Sequence, residues 1–310
     1  MQAHHSDYMT IAEIIGSKLV LTEPLKYYHF GGGDTSSMYD GVDTRGEVYL
    51  LTRNIKIVGE DLDNWGGQVL ATDLFEADGT WRKGSIIMDS VQVYNCSQQD
   101  TFHSSIRFEG AIGGYSRISN SAVHNGNDWA MSILNAANID LFDNVFVGFR
   151  NIGMRIDSAR NCTIDGNFIG DVRARGIDFV NEAIDKEACV AYCSLESEEK
   201  GTPCYDMTVT NNIAAGCPFA AWIAPGYEEC GKNTKNFYKN IGHSSLGYGA
   251  YIYPPPQAAS KTSKCFEASH FTGYKNFEPC VVTMAKTLDH RVHDLKCLDN
   301  AKGLSLNTGD

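Results

Sequence analysis

The chain has 310 residues, of which 43% are hydrophobic and 21% are charged, and its formal net charge is −12. These proportions are typical of a soluble globular protein with a large core. The acidic excess argues against binding to nucleic acid or to an anionic membrane surface, because phosphate contacts need a surplus of lysine and arginine. No apolar run reaches the length of about 18 residues that a transmembrane helix needs, so no membrane span is predicted.

The first part of the chain, residues 1–45, is predicted to form a β hairpin and a segment that leads into the main domain. The stretch TIAEIIGSKLVLTEPLKYY places two apolar runs on either side of Gly16-Ser17, which is typical of two strands joined by a tight turn. Residues 46–310 are predicted to form one domain that begins with VYLLTRNIKIVGE. An insertion near 61–83 separates these first strands from the next ones, SIIMDSVQVYN.

A short strand with alternating apolar and polar residues then recurs through the chain, which indicates one buried face per strand. Its copies are SIRFEG, AMSILN, GMRIDS, GIDFVN, AAWIAP, GAYIYP and CVVTMA, at steps of 23 to 44 residues. The first buried column is predicted to contain Ile106, Met131, Met154, Ile177, Ala221, Ala250 and Val281.

A second strand follows in each unit and ends in a turn with a recurring polar residue. The turn column is predicted to contain Ser121, Asn144, Asn167, Asn212 and Asn240, at nearly the same steps as the strand column. Asparagine tolerates left-handed backbone, and its amide can bond along a stack of turns, so this column favours an asparagine ladder.

A period of this length without helical periodicity indicates a solenoid of short strands. Leucine-rich repeats are excluded because their LxxLxL signature is missing, and propeller blades need about 40 residues. The predicted fold class is therefore all-β: a right-handed parallel β-helix with about nine or ten rungs. The 44-residue step is interpreted as one rung with an insertion near 182–204, a polar surface loop that contains three cysteines. The last residues, GLSLNTGD, stop within a rung, which suggests either truncation or end-to-end stacking of copies.

The ten cysteines indicate an oxidising compartment. No CxxC pair occurs, so the common zinc spacings are absent, and eight cysteines follow residue 185. Those eight are predicted to form disulfides whose pairing the sequence leaves open; the alternative is a cytosolic protein with buried thiols. They are Cys189, Cys193, Cys204, Cys217, Cys230, Cys265, Cys280 and Cys297. Two glycosylation sequons, at Asn95 and Asn161, agree with secretion.

One stretch resembles a known family. TEPLKYYHFGGG, followed by TRGEVYLLTRNIKIVGE, resembles the segment that leads into the β-helix of fibrocystin-like proteins and of the cell-surface hyaluronidases, transmembrane and secreted. The LTRNIKI motif with its preceding Glu-Val is the specific part, and the later rungs match only as generic β-helix repeats. The resemblance implies a large extracellular or cell-surface protein in which a glycine-rich β domain precedes the β-helix. No catalytic residue of the hyaluronidases can be matched here, which weakens an enzymatic interpretation.

The outward residues of the repeated strand are the candidate functional residues. Arginines, carboxylates and exposed aromatic side chains on one face are suited to a glycan groove, because aromatic rings stack on sugars and charged groups bond hydroxyls. The predicted ligand-binding residues are Arg107, Arg155, Asp178, Trp222, Tyr251, Tyr253 and His124. The catalytic candidates are Glu109, Asp157, Arg155 and Asp178.

Glu109 and Asp157 are predicted to lie two rungs apart, or about 9 to 10 Å, near the upper end of the carboxylate spacing in inverting glycosidases. The competing interpretation is that Arg155 pairs with Asp178 and the aromatic residues lie beneath a loop. His290-x-x-His293 is interpreted as a solvated turn, and Gly31-Gly32-Gly33 as a loop, so no metal or cofactor is predicted.

The predicted function is a non-catalytic extracellular scaffold or adhesion module that binds a glycan or protein ligand, or self-assembles by stacking. The alternative is a polysaccharide-active enzyme, a hydrolase or a lyase, that uses the outward strand face.

Overall fold

The structure, a computed structural model, describes residues 5–32, 38–39, 41–60, 63–101, 103–174, 187–193, 204–224, 235–252, 265–284 and 289–307. Within these ranges every regular element is a β strand, and most strands belong to three stacks of parallel strands. The predicted all-β parallel β-helix is therefore confirmed. In the part of the chain that the structure describes, no helix is long and apolar enough to cross a membrane.

Each rung visits three sheets, named A, B and C in chain order, and sheets A and B have nine strands each. Sheet A contains Ile55–Val58, Val91–Tyr94, Ala122–His124, Val145–Arg150, Phe168–Arg173, Ile213–Ala215, Ile241–His243, Thr272–Tyr274 and Lys296–Leu298. Sheet B contains Val69–Ala71, Ile106–Glu109, Met131–Leu134, Ile152–Asp157, Ala188–Tyr192, Ala220–Ile223, Tyr248–Ile252, Val281–Met284 and Leu304–Asn307.

Sheet C is shorter and interrupted. Its parallel strands are Ile87–Asp89, Ser116–Ser119, Ala137–Phe142, Arg160–Asp165 and Tyr205–Thr210. It continues through single bridges at Tyr238 to the pair Cys265–Ser269 and Asp289–His293. Three antiparallel hairpins stand outside the helix: Ile11–Ile15 with Lys18–Leu21, Met38–Tyr39 with Val42–Asp43, and Leu74–Phe75 with Trp81–Arg82.

Both predicted insertions contain a strand of sheet B, which corrects their interpretation as loops. Val69–Ala71 lies inside 61–83 and pairs with Ile106–Glu109. Ala188–Tyr192 lies inside 182–204 and pairs with the strand that contains Met154. The sequence GIDFVN, which was predicted to fill that position, lies outside the described residues. ACVAY alternates in the same way as GIDFVN, so hydrophobic periodicity alone does not choose between them.

The interior is filled by one column of side chains from each sheet. In sheet B the inward column pairs Met154 with Val190, Val190 with Trp222, and Trp222 with Ala250. Trp222 is fully buried, its Nε1 donates to the carbonyl of Ile241 at 2.9 Å, and it belongs to the main core. The prediction that Trp222 faces outward is wrong, because a one-residue slip in the register of a strand reverses every side chain.

An asparagine ladder closes the turn between sheets C and A, as the turn column indicated. The Oδ1 atoms of Asn144, Asn167, Asn212 and Asn240 each accept the backbone N–H of the preceding ladder residue at 2.9 to 3.0 Å, beginning at Ser121. All five side chains are buried. Buried polar groups need such partners, so the ladder fixes the spacing of the rungs at this corner.

A second ladder, at the turn between sheets A and B, was not predicted. Asn276 accepts the N–H of Ser245 at 3.1 Å, and Asn300 accepts the N–H of Asn276 at 3.0 Å. Two asparagines take part among the described residues, and a column of two is too short to find by periodicity.

The outer face of sheet A is covered by residues 46–53, here named the strap. Arg53 donates to the carbonyl of Asn120 at 2.8 Å, and Tyr49 stacks on Phe168 with ring centroids 4.1 Å apart. The strap thus crosses from the third rung to the fifth and beyond.

Two further contacts fasten the amino-terminal region to the same face. Nε2 of His243 lies 3.0 Å from Oε1 of Glu47, and the hydroxyl of Tyr274 donates to that same oxygen at 3.1 Å. Ahead of the strap, the hydroxyl of Tyr8 donates to Asp171 at 2.8 Å. The middle rungs of this face are therefore covered by the chain's own residues.

Three disulfides connect cysteines among the described residues. Cys189 pairs with Cys217, Cys193 with Cys204, and Cys280 with Cys297. Cys96 and Cys162 are buried thiols outside these pairs. Cys230 lies outside the described residues, and Cys265 begins a strand of sheet C.

Candidate functional site

The outer face of sheet B holds the predicted charged residues in two pairs. Arg107 contacts Glu109 at 2.7 Å, and Nε of Arg155 donates to Asp157 at 2.6 Å. Each pair lies within a single strand, two residues apart, where alternation places both side chains on one face. Arg155 therefore bonds a carboxylate of its own strand, and its predicted partner Asp178 lies outside the described residues.

The strand register places the two carboxylates of the predicted pair, Glu109 and Asp157, two rungs apart. Glu109 pairs with Leu134, and Leu134 pairs with Asp157, so the carboxylates occupy one column two rungs apart. Their accessibility differs, because the side chain of Glu109 is 52% exposed and that of Asp157 is 9% exposed. In this column the carboxylate of Glu109 is therefore exposed to solvent and that of Asp157 is buried.

Packed side chains fill the surface around these two ion pairs. The guanidinium of Arg155 lies over the buried ring of Trp129, 4.9 Å from its centroid. Ser132, between Arg107 and Arg155 in the sheet, is fully buried and lies 2.6 Å from the hydroxyl of Ser104. This part of sheet B is therefore a packed polar layer.

Further along the same face the outward residues become apolar. Ile223, Tyr251 and Val282 form a small buried cluster that is separate from the main core. Tyr251 is only 8% exposed and contacts Phe219 edge to face at 5.3 Å. Tyr253, predicted beside it, lies outside the described residues.

His124 lies on sheet A, away from the charged pairs of sheet B. Its Nε2 is 2.9 Å from the amide nitrogen of Gln92, and its ring stacks on Tyr94 at 5.5 Å. Burial lowers the pKa of His124, which favours a neutral ring. Among the predicted ligand residues that the structure describes, His124 therefore lies apart from the residues on sheet B.

His293 lies at the end of the strand Asp289–His293, on sheet C. Its Nδ1 lies 2.7 Å from Asp294 and its Nε2 lies 3.3 Å from Glu267, and these hydrogen bonds raise the pKa of His293. Among the residues that the structure describes, no group of three or more histidines, cysteines or carboxylates is arranged to hold a metal ion.

An exposed aromatic hairpin, which the sequence analysis did not single out, stands near the start of the helix. Phe75 and Trp81 stack across its two strands with centroids 5.5 Å apart and planes 7° apart, and they are 67% and 40% exposed. Lys83 lies 4.8 Å from the centroid of Trp81. The signal was Asp78-Gly79 between two aromatic residues, a strong hairpin turn sequence.

Asp73 fastens this aromatic hairpin to the β-helix. Its carboxylate accepts the indole N–H of Trp81 at 3.0 Å and the backbone N–H groups of Gly84 and Gly113 at 2.8 and 2.9 Å. Burial acts to raise the pKa of Asp73, but these hydrogen bonds outweigh it, so the pKa lies below its ordinary value. The hairpin is therefore presented in a defined position.

These features define a disulfide-bonded parallel β-helix module that is suited to an extracellular or surface protein. No known family profile matches the chain. The chain is, however, 25% identical to fibrocystin of Mus musculus over 307 residues, which is 98% of this chain. It is 27% identical to fibrocystin-L of Homo sapiens over 276 residues, or 80% of this chain. The predicted resemblance to fibrocystin-like proteins is thus confirmed.

Two more comparisons cover smaller regions or show weaker likeness. A G8 domain-containing protein of Dictyostelium discoideum is 41% identical over 70 residues, 22% of this chain and 6% of that protein. A solved surface adhesin of Streptococcus pneumoniae, PfbA, aligns with 70% of this chain and 58% of its own at 11% identity and a TM-score of 0.30, which supports no conclusion. The chain spans only 7% of the length of mouse fibrocystin and 6% of that of human fibrocystin-L.

Proposed function

We propose that this chain is a rigid, non-catalytic module of a larger fibrocystin-like surface protein. The observation that supports this most strongly is the environment of two of the catalytic candidates, the carboxylates Glu109 and Asp157. Asp157 is covered and held by Arg155, and Glu109 is held by Arg107. A glycosidase needs two carboxyl groups that are open to a sugar bound between them.

The framework supports the same proposal. Two asparagine ladders fix the corners of the rungs, disulfides link neighbouring segments, and the strap crosses several rungs of sheet A. Such features oppose local opening of a solenoid, in which each repeat otherwise contacts only its neighbours. A module of this kind would hold other parts of a large protein at a fixed separation.

Incubation with a panel of polysaccharides, analysed for chain shortening, tests the absence of catalysis. We expect no cleavage from the wild type. Cleavage that E109Q abolishes would overturn the proposal, and the exposed position of Glu109 makes misfolding of that variant a minor concern. R117A, which removes an exposed charge on another sheet, is the matched control.

A second candidate function, glycan binding, is favoured by the aromatic hairpin. The outer ring face of Phe75 is presented to solvent on a hairpin that Asp73 fixes to the helix, and flat aromatic faces stack on sugar rings. Lys83 adds a cation beside the pair of rings. The ligand would therefore contact the start of the β-helix and not the outward residues of the repeated strand, where ligand binding was predicted.

Binding to a glycan array with F75A tests this candidate. We expect F75A to weaken any binding at least tenfold, because it removes the exposed ring without touching the contacts of Asp73. Y28A removes a tyrosine that is 86% exposed and should leave binding unchanged. If F75A binds as well as the wild type, or if the wild type binds no glycan, this candidate fails.

A further inference from the structure

The sequon Asn161-Cys162-Thr163 lies within the strand Arg160–Asp165 of sheet C. Cys162 points into the core and is 1% exposed. Asn161 has a left-handed backbone, with φ of 49°, and is exposed, while Thr163 lies on the outer side of the strand and is half-buried. The acceptor residue and the hydroxyl residue of the sequon are thus both at least partly open to solvent.

The hydrogen bonding of Asn161 is compatible with a covalent glycan. Its Nδ2 donates to Oδ1 of Asn138, in the neighbouring rung, at 2.7 Å. A side-chain amide has two N–H groups, and an N-linked sugar replaces only one of them. The bond to Asn138 can therefore persist after modification. In the strand of the next rung the adjacent residues Tyr205 and Asp206 are exposed, which leaves space above the sheet.

The second sequon, Asn95-Cys96-Ser97, lies in a packed corner. Ser97 is fully buried, and its Oγ accepts the backbone N–H of Asp128 at 2.8 Å. A Cβ atom added to Gly66 would lie 2.5 Å from the carbonyl oxygen of Asn95, so the neighbouring backbone fits directly against this turn. A bulky group there would compete with the packing of the first rungs.

We propose that Asn161 carries an N-linked glycan and that Asn95 does not. In the reaction, Nδ2 of Asn161 attacks the anomeric carbon of an oligosaccharide carried on a lipid pyrophosphate. The new N–C bond replaces the C–O bond to the pyrophosphate, which leaves with the lipid, and one amide proton is released. The glycan then covers the outer face of sheet C and shields this face from other proteins.

Intact mass measurement of the full chain, secreted from eukaryotic cells behind a signal sequence, tests the proposal. We expect a mass excess that peptide N-glycosidase removes, equal to one glycan. N161Q and T163A should lack this excess, whereas N95Q should retain it.

T163S is the matched control, because it keeps the sequon and should keep the glycan, while T163A removes the hydroxyl at the same place. A single glycan that is lost in both N161Q and T163A but kept in T163S supports the assignment, even if one of these variants is secreted poorly. A wild type with no glycan or with two glycans, or loss of the glycan in N95Q, overturns it.

Discussion

Oε1 of Glu47 lies 3.0 Å from Nε2 of His243, which joins the strap to the seventh rung of sheet A. The ring of His243 stacks on Tyr274 at 4.3 Å, and the hydroxyl of Tyr274 donates to the same oxygen of Glu47. One carboxylate thus organises two neighbouring rungs and the segment that crosses them.

Removing the charge of Glu47 should loosen the strap. We expect E47Q to lower the free energy of unfolding by about 1–3 kcal/mol, because hydrogen bonds to a charged, partly buried group are lost or weakened. Urea unfolding followed by circular dichroism measures this change. E60Q, in the first rung outside the strap, is the control and should cost less than about 0.5 kcal/mol. Equal stability of E47Q and the wild type would show that the contact contributes nothing.

The same contact predicts a pH dependence. Burial acts to raise the pKa of Glu47, but the hydrogen bond and charge of His243 outweigh it, so the folded-state pKa lies below its ordinary value. A lowered pKa stabilises the fold above the ordinary value of about 4.3, and this contribution is lost as the pH falls through the folded-state pKa. The stability gap between wild type and E47Q should therefore be full at pH 6 and should close progressively below about pH 4. A gap that stays constant down to pH 3 would contradict this assignment.

The buried asparagine ladder predicts a large cost for a single polar deletion. Nδ2 of Asn167 donates to Leu141 O at 3.0 Å and to Asn212 Oδ1 at 2.9 Å, and its Oδ1 accepts from Asn144. N167A leaves several buried groups without partners, each costing about 1–3 kcal/mol. We expect a loss of at least about 3 kcal/mol in urea unfolding. Asn54, which is exposed and has no left-handed backbone, is the control, and N54A should cost less than about 1 kcal/mol.

The disulfide Cys189–Cys217 joins the strand Ala188–Tyr192 of sheet B to the turn between Ile213–Ala215 and Ala220–Ile223, with a sequence separation of 28. A crosslink over a loop of this length stabilises the fold by about 3–4 kcal/mol, chiefly by restricting the unfolded chain. We expect C189A/C217A to lose about that amount. C96A/C162A alters two buried thiols without removing a crosslink and should cost less. If the two double variants are equally stable, the disulfide does not stabilise this region.

Periodicity in the sequence predicted the fold class, the turn ladder and the buried columns where the rungs have 23 to 25 residues. Ile106, Met131 and Met154 lie in the inward column as expected. The prediction failed at the long step, because GIDFVN and ACVAY offer equivalent alternation and only three-dimensional pairing selects the second.

The candidate site was predicted less well than the fold, and for a different reason. The sequence shows which residues alternate outward, but it does not show what covers them. Asp157 and Tyr251 do lie on the outer side of sheet B, yet neighbouring segments bury both. The strap contacts link residues far apart in the chain, such as Glu47 and Tyr274 at a separation of 227, and no local pattern indicates such a pair.

The orientation of Trp222 gives a direct test of the register of sheet B. In the inward position its indole packs edge to face on Phe237 at 5.2 Å, so W222A should create a cavity and cost about 3–5 kcal/mol. In the outward position first predicted, the same change would cost less than about 1 kcal/mol. W65A removes a tryptophan that is 56% exposed, and its loss of stability gives the reference cost of removing an exposed ring. Comparable unfolding midpoints in urea for W222A and W65A would restore the outward register, and with it the aromatic groove on sheet B.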